Sequence, residues 1–152
     1  IPLKAYADLK SFKVFLLDVG LLRCLSGLSP KVILEGSRIF EEFKGAITEQ
    51  YVLQELNTIP HLQSNYYWTS QSKAEVDFLI SEGLNVIPLE CKAGYTMNAK
   101  SLKSYGEKYS PTMSLRTSLL PYERNEGVCN IPLYILFAIN NEIRTTEEIH
   151  NH

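Results

Sequence analysis

The sequence predicts an α/β domain in which a mixed central sheet is flanked by helices. Apolar residues recur at helical spacing over residues 39–56 and again over 98–109. Between these segments, residues 75–92 contain two apolar runs separated by a turn at Ser81-Glu82-Gly83, which is typical of a β-hairpin. The order helix, hairpin, helix and strand predicts helices packed on one sheet.

The first part of the chain is expected to contain a junction and one short helix. Residues 1–11 mix charged and apolar side chains, and we expect them to connect the domain to a preceding region. Residues 12–17 are mostly apolar and suit an extended chain. Asp18 is the predicted N-cap of the helix that follows, because its carboxylate can accept backbone N–H groups two or three residues later. The alternative is that Asp18 binds a metal ion.

The helix predicted over 39–56 carries an acidic residue on its apolar stripe. Glu49 lies three and seven residues before Val52 and Leu56, so it shares their face of the helix. A carboxylate on a buried stripe must be neutralised or paired. Glu49 is therefore a candidate site residue, and a salt bridge to Lys92 or to an arginine is the structural alternative.

An aromatic strand is predicted at 65–69, before the hairpin. Trp68 in this strand is a candidate for stacking on the bases of single-stranded nucleic acid, although packing within the sheet is the more common role of such a residue. Lys100 and Lys103, on the helix predicted over 98–109, are candidate phosphate contacts. The alternative for both lysines is an ordinary solvated helix face.

Acidic residues stand inside the apolar runs of the hairpin rather than in its turn. If residues 82–85 form the loop, Asp77 lies opposite Glu90, and Glu75 lies opposite Lys92. Opposed residues of a hairpin project to the same side of the sheet. Two strand carboxylates and an ammonium would then meet on one patch, where like charges repel unless a cation or a proton lies between them.

This pattern is consistent with metal-assisted phosphodiester hydrolysis. Hard divalent cations such as Mg²⁺ prefer carboxylate oxygens. A bound ion would polarise a phosphate and lower the pKa of a water molecule, and Lys92 would orient that water or neutralise charge in the transition state. The alternative is a solvated hairpin face that carries a cross-strand ion pair.

The rest of the chain is expected to complete the sheet. A strand is predicted at 112–120, followed by a loop. The apolar run 131–139 suits a strand, but Pro132 at a first helical turn would equally suit a buried closing helix. Residues 141–152 are polar and are expected to form a frayed tail, so that the domain itself spans 12–140.

Composition favours a cytoplasmic, single-domain protein. A chain of 152 residues with 45% hydrophobic content is able to bury about 70% of its unfolded surface. The net charge of −2, without a run of Lys or Arg, argues against strong nucleic-acid binding by this domain alone.

The apolar stretches are too short to span a bilayer, and the sequence has no glycine-rich phosphate loop to form a nucleotide site. Three separated cysteines without a CxxC pair predict reduced thiols rather than a zinc site.

Five strings of the sequence resemble one branch of a known superfamily. They are residues 12–22, 45–56, 67–68, 75–78 (Glu-Val-Asp-Phe) and 90–92 (Glu-Cys-Lys). The last two strings are similar to the metal-binding core of the PD-(D/E)XK nuclease superfamily. The whole series resembles the C-terminal domain of unknown function that follows the P-loop ATPase module and winged helix in many bacterial and archaeal AAA-type ATPases.

The resemblance implies a restriction-endonuclease-like fold and a divalent-metal site. The implied ligands of Mg²⁺ or Mn²⁺ are Asp77, Glu90 and the backbone carbonyl of Cys91, with Glu49 as an outer acid and Lys92 as the activating residue. The implied partners are the ATPase module of the same full-length chain and DNA. Two functions are compatible with this resemblance: metal-dependent hydrolysis of nucleic acid, or partner recognition and ATPase regulation by a catalytically silent module.

Overall fold

The computed structural model describes residues 3–34, 38–70, 74–96, 98–125 and 127–150. Its α-helices are α1 (Val19–Leu25), α2 (Pro30–Leu34), α3 (Arg38–Leu56), α4 (Lys100–Tyr109) and α5 (Ile139–His150). Its strands are β1 (Gln63–Thr69), β2 (Glu75–Glu82), β3 (Asn85–Cys91), β4 (Ser114–Ser118), β5 (Glu123–Asn125) and β6 (Val128–Pro132). Leu3–Tyr6 and Leu133–Ala138 form 3₁₀-helices. No helix of these residues is long and apolar enough to cross a membrane.

The strands form one mixed sheet in the order β1-β2-β3-β4-β6-β5. β1, β2 and β3 are antiparallel neighbours, and β5 is antiparallel to β6. β4 runs parallel to both β3 and β6. The predicted class, an α/β domain with a mixed sheet flanked by helices, is confirmed.

Each face of the sheet is covered by its own apolar layer. The first layer, which defines the α3 face, includes these buried residues of α3, β2 and β3: Val52, Leu56, Phe78, Ile80, Ile87 and Leu89. The second layer, which defines the α4 face, includes these buried residues of α4 and β2: Leu102, Tyr105, Val76 and Leu79. The two layers therefore indicate the side of the sheet to which each strand residue points.

The hairpin has the register that the sequence predicts. β2 pairs with β3 through Ser81 and Val86, as a loop over 82–85 requires. Glu82 and Asn85 also pair, so the connection itself is a two-residue turn. The first residue of that turn, Gly83, has a φ of 57°, which a glycine adopts at little cost and which hairpin turns of this length require.

Asp18 caps α1, as predicted, and its removal should destabilise the protein. Its Oδ1 accepts a hydrogen bond from the backbone N–H of Leu21 at 2.8 Å. We expect Asp18→Ala to lower the free energy of unfolding by about 1 kcal/mol in urea denaturation. Asp18→Asn is the matched control, because asparagine caps helices as well as aspartate does. Equal losses in both variants would contradict a capping role.

The end of the chain differs from the predicted strand, loop and tail. The run 131–139 combines both predicted alternatives, because β6 ends at Pro132 and a 3₁₀-helix follows it. The short strand β5 lies in the predicted loop. The prediction of a frayed tail is wrong for 141–150, which continue α5 and bring Ile143 into the core. Residues 151 and 152 lie outside the described part of the chain.

Candidate functional site

β2 contains a β-bulge in which Asp77 and Phe78 together oppose one residue of β1, Tyr67. The flanking pairs are Tyr66 with Leu79 and Trp68 with Val76. Such a bulge adds one residue to one strand, so the alternation of side chains between the two faces shifts across it. Val76 consequently shares the α4 face with Leu79, and Asp77 points to the α3 face with Phe78.

Three carboxylates surround the ammonium of Lys13 on the α3 face. Lys13 belongs to the N-terminal arm, which we define as residues 7–17. Its Nζ lies 3.0 Å from Oε2 of Glu49, 2.5 Å from Oε1 of Glu75 and 3.5 Å from Oδ1 of Asp77. These four side chains form the Lys13 cluster, to which the arm, α3 and β2 all contribute.

Asp77 is held firmly within the Lys13 cluster. Its side chain is 14% exposed, and its Oδ2 accepts a hydrogen bond from the backbone N–H of Cys91 at 2.7 Å. Burial raises the pKa of Asp77 to about 6. The negative charges of Glu49 and Glu90 add to this rise. The ionised form of Asp77 is therefore incompletely stabilised in the fold.

The Lys13 cluster keeps its lysine charged but remains short of positive charge. Burial alone would lower the pKa of Lys13, yet hydrogen bonds to Glu75 and Glu49 raise that pKa well above its ordinary value. The ring centroid of Tyr67 lies 5.3 Å from the ammonium, within cation–π range. Three ionised carboxylates around one ammonium leave two uncompensated negative charges. The cluster would accordingly gain from a divalent cation or a proton.

Glu90 and Lys92 form a separate ion pair at the end of β3. Nζ of Lys92 lies 2.7 Å from Oε1 of Glu90. Glu90 is only 3% exposed, and its Oε2 has no hydrogen-bond partner in the described part of the chain. Its neighbours Leu89 and Cys91 pack on the core of the α3 face. Side-chain alternation therefore directs Glu90 to the α4 face.

The two strand acids do not share a face of the sheet. The prediction that Asp77 and Glu90 project to the same side is wrong, because the bulge in β2 turns Asp77 to the α3 face. Glu75 likewise contacts Lys13 on the α3 face, while Lys92 contacts Glu90. The acids are still close enough for the charge of Glu90 to raise the pKa of Asp77.

Lys13 is the site residue that sequence reasoning missed. Glu49 does form a salt bridge, but its partner is Lys13 rather than Lys92. The two residues lie 36 positions apart, so no local spacing connects them. The available signal was a single charged side chain inside the mostly apolar run 12–17.

Buried polar side chains continue from Glu90 across the sheet. Glu90 aligns with Arg116 of β4, and Arg116 aligns with Asn130 of β6. Oδ1 of Asn130 accepts hydrogen bonds from Nε of Arg116 at 3.0 Å and from Oγ of Ser118 at 2.7 Å. These four residues are at most 5% exposed. Sequence reasoning did not single out Arg116 or Asn130, because neither stands in a recognisable motif.

Trp68 packs within the fold, away from the Lys13 cluster. Its ring meets those of Tyr105 and Tyr109 edge-on, at centroid distances of 5.3 and 6.1 Å. Its Nε1 donates to the hydroxyl of Tyr109 at 3.3 Å. Lys100 and Lys103 are exposed on α4. Packing against α4 thus accounts for Trp68, and a nucleic-acid contact by any of the three residues stays a prediction.

The donor atoms at the site suit a hard cation, although the three carboxylates of the Lys13 cluster are arranged around an ammonium. Among the described residues, no three His, Cys, Asp or Glu side chains are grouped so that they could hold a metal ion. The Lys13 cluster supplies carboxylate oxygens and two uncompensated charges, and the buried Oε2 of Glu90 has no hydrogen-bond partner within the residues that the structure describes. Oxygen donors and excess negative charge are the features that Mg²⁺ and Mn²⁺ prefer.

The chain matches the family described as "Domain of unknown function (DUF4143)" over residues 44–136. This span covers more than half of the 152 residues. The chain belongs to the DUF4143 family. The DUF4143 match includes α3 from residue 44 onward, the hairpin and β4, and therefore every residue of the Lys13 cluster except Lys13 itself. Comparison with curated proteins and with solved structures gives no match.

Proposed function

We propose that this domain is a divalent-metal-dependent nuclease module of the PD-(D/E)XK type that forms the C-terminal part of an AAA-type ATPase. The observation that carries the proposal is the Lys13 cluster, where three carboxylates share one ammonium beside the Glu90–Lys92 pair. Closely spaced acids with an uncompensated charge are costly to maintain in a fold, and metal-assisted chemistry is a reason to maintain them.

The proposed metal ligands are Asp77, Glu49 and the backbone carbonyl of Cys91, while Glu90, which points to the other face of the sheet, contributes negative charge to the site. A bound Mg²⁺ or Mn²⁺ would polarise the scissile phosphate and lower the pKa of the attacking water. Among the residues of this chain, the Cys91 N–H group orients Asp77 through its hydrogen bond to Oδ2. Lys92 holds Oε1 of Glu90, and no other described residue pairs with Oε2.

Lys92 is proposed to act on the substrate rather than only on Glu90. Its side chain is 31% exposed, whereas that of Glu90 is 4% exposed, so the ammonium is the part of the pair that nucleic acid can reach. A positive charge at this point would stabilise the negative charge that develops on a phosphate during hydrolysis. The net charge of −2 indicates that the module relies on the attached ATPase for much of its affinity for DNA.

A catalytically silent module that serves partner recognition or ATPase regulation is the second candidate. The observation that favours it is that Lys13 already neutralises part of the acid cluster, while the Cys91 N–H group occupies Oδ2 of Asp77. In this alternative, the acids and lysines stabilise the fold through ion pairs, and no metal binds. Removal of one member of such a network would then affect stability but no catalytic activity.

A nuclease assay distinguishes the two candidates. We expect cleavage of linear, branched or single-stranded DNA in Mg²⁺ or Mn²⁺, its loss on chelation, and a decrease of at least about tenfold in both Asp77→Ala and Lys92→Ala. Glu107→Gln, on the exposed surface of α4, removes one negative charge as Asp77→Ala does, and this control should cleave like the wild type. A wild type that neither cleaves DNA nor takes up Mn²⁺ would support the silent module.

A further inference from the structure

We infer that Lys13 is a built-in counter-ion that competes with a divalent cation for Glu49, Glu75 and Asp77, so that the N-terminal arm controls metal loading. This inference deepens the proposed function and rests on its metal site. An ammonium contributes one positive charge to the cluster where a divalent ion would contribute two. Exchange of one for the other therefore relieves more of the repulsion among the three carboxylates.

The N-terminal arm is attached in a way that permits such an exchange. Within the described part of the chain, no backbone–backbone hydrogen bond joins residues 12–17 to the helices or the sheet. Instead, the amide group of Gln50 on α3 holds both backbone polar groups of Leu16, at 2.8 and 2.9 Å. Release of the arm therefore requires the loss of a few side-chain contacts rather than the opening of a strand ladder.

Only part of the apolar surface of the arm is buried. Phe15 packs against Phe78, with ring centroids 5.9 Å apart. In contrast, Phe12, Val14 and Leu17 are each more than three-quarters exposed, at 77, 78 and 85%. Apolar side chains that stay in water do not stabilise the docked arm. The described contacts that hold the arm on the site therefore include the packing of Phe15, the two hydrogen bonds of Gln50 and the ion pairs of Lys13.

Solvent reaches the Lys13 cluster beside the arm. A pocket of about 340 Å³ lies between the arm and α3, and both Lys13 and Glu49 line it. Gly45 and Ala46 of α3 also line this pocket, and the space stays open because glycine has no side chain and alanine has only a methyl group. The side chains of Lys13 and Glu49 are 22 and 28% exposed, so an ion can approach the cluster before the lysine leaves it.

Mn²⁺ binding to the purified protein, measured by calorimetry or by the loss of the free-ion EPR signal, tests this inference. We expect Lys13→Met, which keeps the aliphatic stem and removes the charge, to bind Mn²⁺ at least about tenfold more tightly than the wild type. Lys13→Arg keeps the charge and should bind like the wild type. Lys10→Met, at an exposed position of the same arm, is the matched control and should also show no change.

A second variant tests the arm rather than the charge. Gln50→Leu removes both side-chain contacts to Leu16 and should tighten Mn²⁺ binding several-fold while Lys13 is still present. Thermal unfolding of Lys13→Met gives an independent readout. The lost counter-ion should lower its melting temperature, and Mg²⁺ should restore that temperature better than NaCl of equal ionic strength.

The outcomes separate this inference from the proposed function. Equal Mn²⁺ affinity in the wild type and Lys13→Met would overturn control of metal binding by Lys13. The nuclease proposal would then be decided separately, by the DNA-cleavage assay. Tighter binding by Lys13→Met without DNA cleavage under any of the assay conditions would support the counter-ion and overturn the nuclease. A lack of Mn²⁺ binding in both proteins would overturn both the counter-ion role of Lys13 and the metal-dependent nuclease.

Discussion

Ile143→Ala is expected to lower the free energy of unfolding by about 3 kcal/mol, within the range that such truncations show in well-packed cores. Ile143 is 1% exposed and belongs to the core cluster of the α3 face together with Leu136 and Ile139. Removal of its three outer carbon atoms loses their transfer free energy and leaves a cavity in the core of the α3 face. Urea denaturation monitored by circular dichroism measures the change.

Arg144→Ala is the matched control for this prediction. Arg144 follows Ile143 on the same helix but is exposed, so the variant should change stability by no more than about 0.5 kcal/mol. If Ile143→Ala were as harmless as this control, α5 would not be packed on the domain in solution. The end of the chain would then behave as the polar tail that composition suggests.

The long periodic segments of this fold were predictable, and the short ones were not. α3 repeats its apolar stripe over five turns, and the hairpin register follows from its turn, so local pattern and tertiary packing agree. α5 shows only Ile139 and Ile143 at helical spacing among polar residues. The predicted domain boundary after residue 140 separates these two isoleucines. β5 is three polar residues long and forms because β6 lies beside it.

At the candidate site, the residues could be predicted but their grouping could not. The acids Glu49, Asp77 and Glu90 were visible because each stands in an apolar run. Their division between two faces depends on the bulge in β2, which has no glycine or proline to mark it. The position of Lys13 beside these acids depends on the path of the arm across α3, which is a tertiary contact that local sequence pattern does not encode.

The charge on Asp77 is expected to destabilise the folded protein at neutral pH, so that Asp77→Asn should raise the free energy of unfolding by up to about 3 kcal/mol there. Its pKa is about 6 in the folded chain, mainly because of burial, against an ordinary value of 3.8. Between these two pH values, the folded chain keeps a proton that the unfolded chain has lost. Stability contributed by the protonated carboxyl is therefore complete below about pH 4 and declines as the pH rises through 6.

Urea denaturation of the wild type and Asp77→Asn across this range tests the sign as well as the size of the effect. The advantage of the variant should be greatest at about pH 7.5 and vanish near pH 4, because aspartic acid is then neutral like asparagine. Asn can still accept the hydrogen bond from Cys91, so the change isolates the charge. An advantage that did not depend on pH would show that ionised Asp77 carries no such penalty.

The same penalty is what a bound cation would relieve, so Mg²⁺ should stabilise the wild type more than Asp77→Asn at about pH 7.5.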